Sequence, residues 1–480
     1  MPVNTNDGPA TAPADFSADP GGAVSSGGTP PTAPGLPLLG IAHRLALDKY
    51  GFAQRISQQH GDIVRLPMPR RKPVFLISNP EMINQVFVRL ADKHRKGAMF
   101  TAVMAPLPDP PISVQEGTDW RRMRRLANGH FGVAGLRPLL ATMDTVIEEH
   151  VADFSSDVGD RPADVEGLLA VMAIDVLLQT IFNRQLPRRR LRRMTRQLRG
   201  VSEGGAIRWA WFWLPAPLRY LASAAKDIRG LPMFWEMYRL VRDGTAADEG
   251  GDDFLTRMRE ATFENGSKLT DSQLRSEMFE FVFAGFETTT AAMSWALAML
   301  ATNPDAMRKA AEEVDRLGRT PTHEDFASLP YVRACWDEAQ RIQGLPYYSR
   351  DSFESQVLGG YHIPAGSMIL CSPYAVQNDP RIWDDPSAFK PERWEDGSAA
   401  KHAYLQFGIG ERRCLGVNVA NFEGVLFLAK ALSRYTFEAP PGWQPERVFR
   451  MVTGIRGGLP ITIIARRRQV AGATQAEHTK

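Results

Sequence analysis

Along several long stretches of this chain apolar residues recur every three or four positions, the mark of a helix with one face turned inward. That spacing predicts helices over Gly117 to Ala127, Pro138 to Phe154, Val165 to Phe182, Leu191 to Ser202, Pro321 to Ile342 and Val417 to Leu432. The longest periodic stretch, Asp271 to Thr302, is expected to be a central helix that the others pack around. Where β-formers alternate or cluster, strands are expected. Asp62–Leu66 and Pro73–Ile77 read as a hairpin about a basic turn, and Ser355–Tyr361, Met368–Cys371 and Ile461–Ile464 as further strands. The fold class this gives is mainly α with a minor β part.

No internal repeat or long linker interrupts residues 34–466, which read as a single domain. A Pro/Gly/Ala-rich leader, 1–33, has the composition of disorder, and 467–480 reads as a flexible tail. The apolar fraction of 44% is enough for a large core, and the formal charge of +3 does not point to nucleic acid. Three widely spaced cysteines, Cys335, Cys371 and Cys414, exclude a disulfide framework and suit a reducing compartment. No uninterrupted apolar run approaches the ~18 residues that span a bilayer, and the leader lacks the basic and apolar regions of a secretory signal. A soluble cytoplasmic monomer is expected.

The chemistry concentrates in Phe407-Gly408-Ile409-Gly410-Glu411-Arg412-Arg413-Cys414-Leu415-Gly416. One cysteine sits at the mouth of a glycine-rich turn just before an apolar helix. Amides and a helix N-terminus there are expected to lower the thiol's pKa and hold a thiolate ready for a metal. Gly410 and Gly416 would let the backbone approach something large and flat, and Arg412 offers a cation to an acidic edge. Haem b, with two propionates and an axial Cys414 thiolate on its iron, fits that description; a buried structural cysteine is the plain alternative. On the long helix, Ala284-Gly285-Phe286-Glu287-Thr288 places an acid beside a hydroxyl. A mid-helix glycine costs about 1 kcal/mol relative to Ala, so Gly285 asks for a reason: room for a flat group, or a local widening of the helix. Activating dioxygen needs protons, and a hydroxyl backed by a carboxylate is the smallest device that supplies them. The competing reading is a Thr-rich face bonding its own backbone.

Phe407, Gly410, Arg412, Cys414 and Gly416 fill every fixed position of F-x-x-G-x-R-x-C-x-G, and from about Pro34 to Ile464 the chain resembles the cytochrome P-450 haem-thiolate monooxygenases. The resemblance implies that family's fold, with a long central helix and a cysteine-ligand loop enclosing haem, in a bacterial member. It assigns Ala284, Gly285, Glu287 and Thr288 to the oxygen-activating helix. Trp120 and Arg124, one helical turn apart, fit its W-x-x-x-R pattern for one propionate; Arg350 resembles the residue on the other, with Arg412 assisting, and His402 joins the set. Glu338 and Arg341 fall at its E-x-x-R spacing, and with Arg393 of Pro391-Glu392-Arg393-Trp394 they would form a structural ion-pair cluster. Departures are Gln406 in place of a usual Pro, Glu411, and Gly344-Leu345-Pro346 in place of Pro-Pro. The substrate pocket implied includes Met99, Phe100, Met104, Phe281, Phe283, Leu345, Tyr347 and Val452, each of which could instead be ordinary core.

The function implied is hydroxylation or epoxidation of a hydrophobic small molecule with dioxygen. The chain has no room for a fused redox module, so NAD(P)H electrons would arrive through a separate ferredoxin or flavodoxin-type system. Arg121, Arg122, Arg125 and Arg413 would form a basic face for such a partner. Oxidative coupling or desaturation, with the substrate free or carrier-bound, is the alternative chemistry; a haem sensor would not need Glu287 and Thr288. One feature stands apart. The arginines at 188, 189, 192, 193, 196 and 199 share a helical face opposite Leu191, Met194 and Leu198, ahead of the aromatic run Trp209–Pro215. Such a segment, Arg188–Pro215, suits an anionic membrane surface or an acidic carrier protein, or is a solvated face.

Overall fold

The computed structural model describes residues 28–37, 40–69, 72–97, 101, 109–210, 214–246 and 253–466. The long helix runs Asp271–Thr302, started by a capping box in which the Thr270 side chain accepts from Gln273 N–H and Gln273 answers the Thr270 amide. Every residue from Thr289 to Leu300 is buried, as befits a helix apolar on all sides. Around that half pack Val165–Phe182, Pro330–Gln343 and Val417–Leu432, in one apolar cluster that includes Trp295, Trp336 and Phe427. Val165–Phe182 is long and apolar enough to cross a membrane, contrary to the sequence reading, but 83% of it is buried inside the molecule. It is the partner wall of the central helix.

The largest sheet runs, in spatial order, Ile63–Leu66, Val74–Ile77, Met368–Cys371, Tyr348–Ser352 and His94–Lys96. The first two form the expected antiparallel hairpin, Ile63 opposite Ile77. Val74–Ile77 then pairs in parallel with Met368–Cys371, the one parallel step in the sheet. Chain distance makes this pairing invisible to local patterning.

The long helices at 165–182, 271–302 and 417–432 fall where the periodicity places them. The stretch from Pro321 to Ile342 divides into a 3-10 turn, His323–Ser328, and the helix Pro330–Gln343, because Pro330 takes a first-turn position. Ser355–Tyr361 is not one strand but half of a hairpin, Gln356–Leu358 against Tyr361–Ile363, turned by Gly359 and Gly360 at φ 55° and 82°. Residues 28–33 belong to the folded body rather than to a leader: Pro31 C=O accepts from Arg65 N–H at 2.8 Å and Ala33 is buried. The arginine helix extends over Arg188–Ala210 and packs along Ala216–Ala246, a helix that the apolar spacing did not reveal. Leu221, Ile228, Leu231 and Trp235 of that second helix face solvent.

Candidate active site

The cysteine loop closes on itself: Cys414 N–H donates to the Phe407 carbonyl at 2.8 Å, and Gly416 begins the helix Val417–Leu432. Gly410 is a glycine for a reason other than the expected one. At φ 70°, a Cβ there would lie 2.3 Å from the Phe87 carbonyl oxygen, so this backbone seats against the π-helical turn Gln85–Arg89. A Cβ on Gly416 would meet open space. Cys414 is exposed, the other two cysteines buried. The expected depression of its pKa is absent: surrounding protein raises it, against pulls from the Gly416 backbone, Arg124, Arg413 and Lys96. The helix end alone therefore does not hold a thiolate here, whereas a coordinated cation would deprotonate the thiol outright.

The long helix presents a matching surface. Ala284 and Thr288, one turn apart, are exposed, while Phe286, Glu287, Thr289 and Thr290 around them are buried. An accessible strip on the central helix of a packed protein marks an internal cleft. Thr288 Oγ1 donates to the Ala284 carbonyl at 2.5 Å, leaving its lone pairs toward the cleft. The helix is α-helical throughout, without the widening considered from the sequence. Gly285 turns away from the cleft, where a Cβ would come 2.9 Å from Leu177 Cδ2; its smallness serves helix packing, and Ala284 is the small residue at the open strip. Glu287 is buried, and its Oε2 has no hydrogen-bond partner among the described residues. Burial raises its pKa to about 7, opposed by Arg199 and Arg450 and assisted by Glu166 and Glu203. Both arginines also hold Glu166 Oε1, at 3.0 and 2.9 Å. Glu287 thus stands at the inner end of a charged string that reaches the half-exposed Glu203 and Lys226.

A cavity of about 170 Å³ opens beside the loop, lined by Lys96, Trp120, Arg121, Arg350, Glu411 and Arg412 among others. Arg412 lies 3.9 Å over the Trp120 ring, donates to the Gln115 carbonyl at 2.9 Å, and pairs with Glu116. Arg350 is buried 4.2 Å over the Phe87 ring, and that burial, with Arg412 nearby, lowers its pKa to about 10. Arg124 donates to the Arg413 carbonyl at 2.8 Å, next to Cys414. An accessible thiol, a bare helical strip and a cationic recess with an indole suit a flat, iron-bearing group with anionic edges. His402 does not join them: it is exposed on the 3-10 turn Lys401–Ala403, away from the cavity lining. Lys96 was missed, because nothing within its strand His94–Lys96 signals a contact with residues 184 or more positions away.

Behind the loop, Glu338 accepts from Arg341 Nε and Nη2 at 2.9 and 2.8 Å, Arg393 Nε at 3.0 Å and Trp394 Nε1 at 2.9 Å. Arg341 also donates to the Gln377 carbonyl at 2.7 Å. The expected triad is therefore assembled and gains Trp394. Gln406, the departure from Pro, donates to Gln343 Oε1 at 3.2 Å, and Gln343 donates to the Thr453 carbonyl at 2.8 Å.

The pocket residues scatter. Phe281 is core, its ring 5.2 Å from Phe131 and 5.6 Å from Phe254. Phe283 is half-buried and stacks on Phe279 at 6.0 Å. Tyr347 stacks on Trp209 at 5.8 Å within the core of the large sheet, so Trp209 is not part of a surface aromatic patch. Val452 is buried and Leu345 half-buried; Met99, Phe100 and Met104 lie outside the described residues, as do 211–213. Arg122 and Arg125 are held by Asn265 and Glu264, which leaves Arg121 and Arg413 exposed on that side.

The family model for cytochrome P450 matches residues 30–459. Cyclooctat-9-en-7-ol 5-monooxygenase of Streptomyces melanosporofaciens is 31% identical over 452 residues, covering 91% of this chain and 94% of that protein. Cyclooctatin synthase of the same organism is 29% identical over 418 residues, covering 85% and 90%. Cytochrome P450 1A1 of Balaenoptera acutorostrata is 28% identical over 454 residues, covering 86% and 87%.

Proposed function

Because the chain belongs to the cytochrome P450 family, whose members are haem-thiolate oxidoreductases, we propose that it inserts one atom of dioxygen into a C–H or C=C bond of a hydrophobic small molecule. The second oxygen atom leaves as water, with two electrons drawn from NAD(P)H through separate redox proteins. The observation that carries this reading is the bare strip Ala284–Thr288, with the buried acid Glu287 alongside it, in a protein whose loop cysteine is accessible. One relative is named for acting on an alcohol with one C=C bond, and a substrate with a largely hydrocarbon frame suits this cleft.

Cys414 Sγ would ligate the haem iron, and Trp120, Arg124, Arg350 and Arg412 would hold the propionates. Haem bound there supplies the redox centre at which dioxygen is reduced. Thr288 Oγ1 accepts a hydrogen bond from the cleft while its own proton is fixed on Ala284 O, which orients it without a shift of the helix. Glu287, its pKa raised by burial to about 7, can both hold and release a proton near neutral pH and hand it toward the cleft. Glu166 and Glu203, flanked by Arg450, Arg199 and Lys226, replenish it from solvent. Exposed Arg121 and Arg413 offer an acidic electron donor a cationic landing site.

A second reading, coupling or desaturation on a carrier-bound substrate, is favoured by one observation. Arg189, Arg192, Arg193 and Arg196 are exposed on the arginine helix and form no ion pair among the described residues. The test is turnover under labelled dioxygen. Label in the product supports insertion; loss of two hydrogens without label gives the answer to the second reading.

A further inference from the structure

One side of the helix Ala216–Ala246 is committed to the fold. Ser223, Gly230, Met233 and Leu240 are buried, and a Cβ on Gly230 would come 2.4 Å from Val201 Cγ2 of the arginine helix. The opposite side carries Leu218, Leu221, Ile228, Leu231, Trp235 and Tyr238, all exposed, Leu221 at 74% and Trp235 at 67%. With a large side chain covering about 150–250 Å², these leave roughly 700 Å² of apolar surface in water, above the roughly 300–600 Å² of the largest patch on an ordinary monomer. Neither the haem site nor the proton relay uses this face. Its residues are also ordered. Leu221, Ile228 and Trp235 stand seven apart, a spacing that keeps side chains in line on a straight helix to within about 20° per step. The stripe is symmetric about Ile228: Leu221 and Trp235 lie seven residues to either side of it, Leu218 and Tyr238 ten, and the small Ala225 as far before it as the bulky Leu231 after.

We propose that two copies of this chain pair through this face, antiparallel about a two-fold axis at Ile228, in place of the monomer expected from the sequence. Turned end over end about Ile228, a second copy of the helix sets Leu221 against Trp235 and Ile228 against itself. It also brings Leu231 level with the small residues Ala224 and Ala225, so that large side chains of one helix fill the low ground of the other. The same patch then serves both partners, as a two-fold interface requires. Its area is close to the roughly 800 Å² that each partner of a stable pair contributes, and Arg229 and Arg239 are exposed at its borders, where a polar rim belongs. A bilayer would accept the same apolar residues, but nothing in lipid rewards a repeat of seven or a small residue level with Leu231. Its pull on the flanking cations is also reduced: Lys226 pairs with Glu203, Arg190 with Glu236, and Arg242 with Asp243 at 2.8 Å. The pairing is independent of the oxygenase reading.

The test is sedimentation velocity of the haem-loaded full chain at micromolar concentrations, where a species of twice the chain mass is expected. Ile228→Arg sets two like charges against each other on the axis, so this one substitution should raise the dimer dissociation constant at least a hundredfold. Because Ile228 is exposed in the single chain, the Soret spectrum and thermal unfolding of the isolated variant should match those of the monomeric parent. Register is read with a short bismaleimide cross-linker, the parent chain serving as control for Cys414. Ile228→Cys should link to itself, and a mixture of Leu221→Cys with Trp235→Cys should link across the mixture in preference to either with itself. A monomer at every concentration, a dimer unmoved by Ile228→Arg, or self-linked Leu221→Cys as the main product overturns the proposal. So does a protein that stays monomeric in solution yet binds phospholipid vesicles through Ile228, which would assign the face to a lipid surface.

Discussion

Glu338 and Glu287 are both buried carboxylates, and they are built on opposite principles. Glu338 is fully buried and takes hydrogen bonds from Arg341, Arg393 and Trp394. Glu287 is buried almost as deeply, yet its Oε2 has no hydrogen-bond partner among the described residues. A carboxylate answered by two guanidinium groups and an indole has no spare bonding capacity and acts as a joint. One left partly unanswered holds its proton more tightly and can offer a hydrogen bond to something that comes and goes. The difference teaches that burial alone does not separate scaffold from machinery.

The strongest way to break this comparison is Glu338→Ala. It strands two buried cations, and removing one partner of a buried pair typically costs about 3–5 kcal/mol, so poorly folded, haem-free protein is expected. Full haem content with unchanged thermal unfolding would contradict a joint. Glu287→Gln should fold and bind haem but lose coupled turnover by about 10²-fold, the ordinary worth of a positioned proton donor; steady-state product formation per NAD(P)H decides. Thr288→Ala is expected to consume NAD(P)H at a comparable rate while most of the electrons appear as hydrogen peroxide. Unchanged coupling on a good substrate would remove Thr288 from the relay.

A pH measurement sharpens the contrast further. Glu287 has its pKa raised from 4.5 to about 7 on folding, so the native state binds the proton more tightly than the unfolded chain. Its contribution to stability is whole below about pH 4.5 and is lost as pH rises through 7, by at most about 3 kcal/mol. Glu287→Gln should flatten that part of the pH–Tm curve; parallel curves for the two proteins would show that the acid is not held neutral. The smallest effect belongs to Gly285→Ala. The helix gains about 1 kcal/mol in propensity, and the added methyl displaces only the tip of Leu177. Net stability should change by less than about 1 kcal/mol in a chemical-denaturation curve, with the haem spectrum unmoved.

The parts legible from the residues were those whose signal is local. The long helix and the helix after Cys414 follow from uninterrupted apolar runs, and the E-x-x-R spacing predicted the Glu338–Arg341 contact. Ala216–Ala246 escaped because Leu221, Ile228, Leu231 and Trp235 point to water, which blurs the periodicity, and because Pro232 sits in its interior. The glycines at 285 and 410 were visible but their reasons were not: Leu177 and the Phe87 carbonyl are distant in sequence. Lys96, which shares the cavity with Arg350 and Arg412, was hidden for the same reason. His402, a residue of suitable chemistry, is exposed on the 3-10 turn Lys401–Ala403 and is not among the residues that line the cavity.

The parallel pairing of Val74–Ile77 with Met368–Cys371 has a consequence in time rather than in space. A ribosome adding about 5–20 residues each second releases the first strand roughly 15–60 s before its partner. For that interval the inner edge of an apolar hairpin has its backbone donors and acceptors open to any neighbouring strand. The sheet is therefore sealed late, by a strand in the final quarter of the nascent chain, and the loop that carries Cys414 follows it. A chain that stalls or is truncated before residue 371 keeps its stickiest edge exposed, and its yield in a cell will track how well chaperones cover that wait.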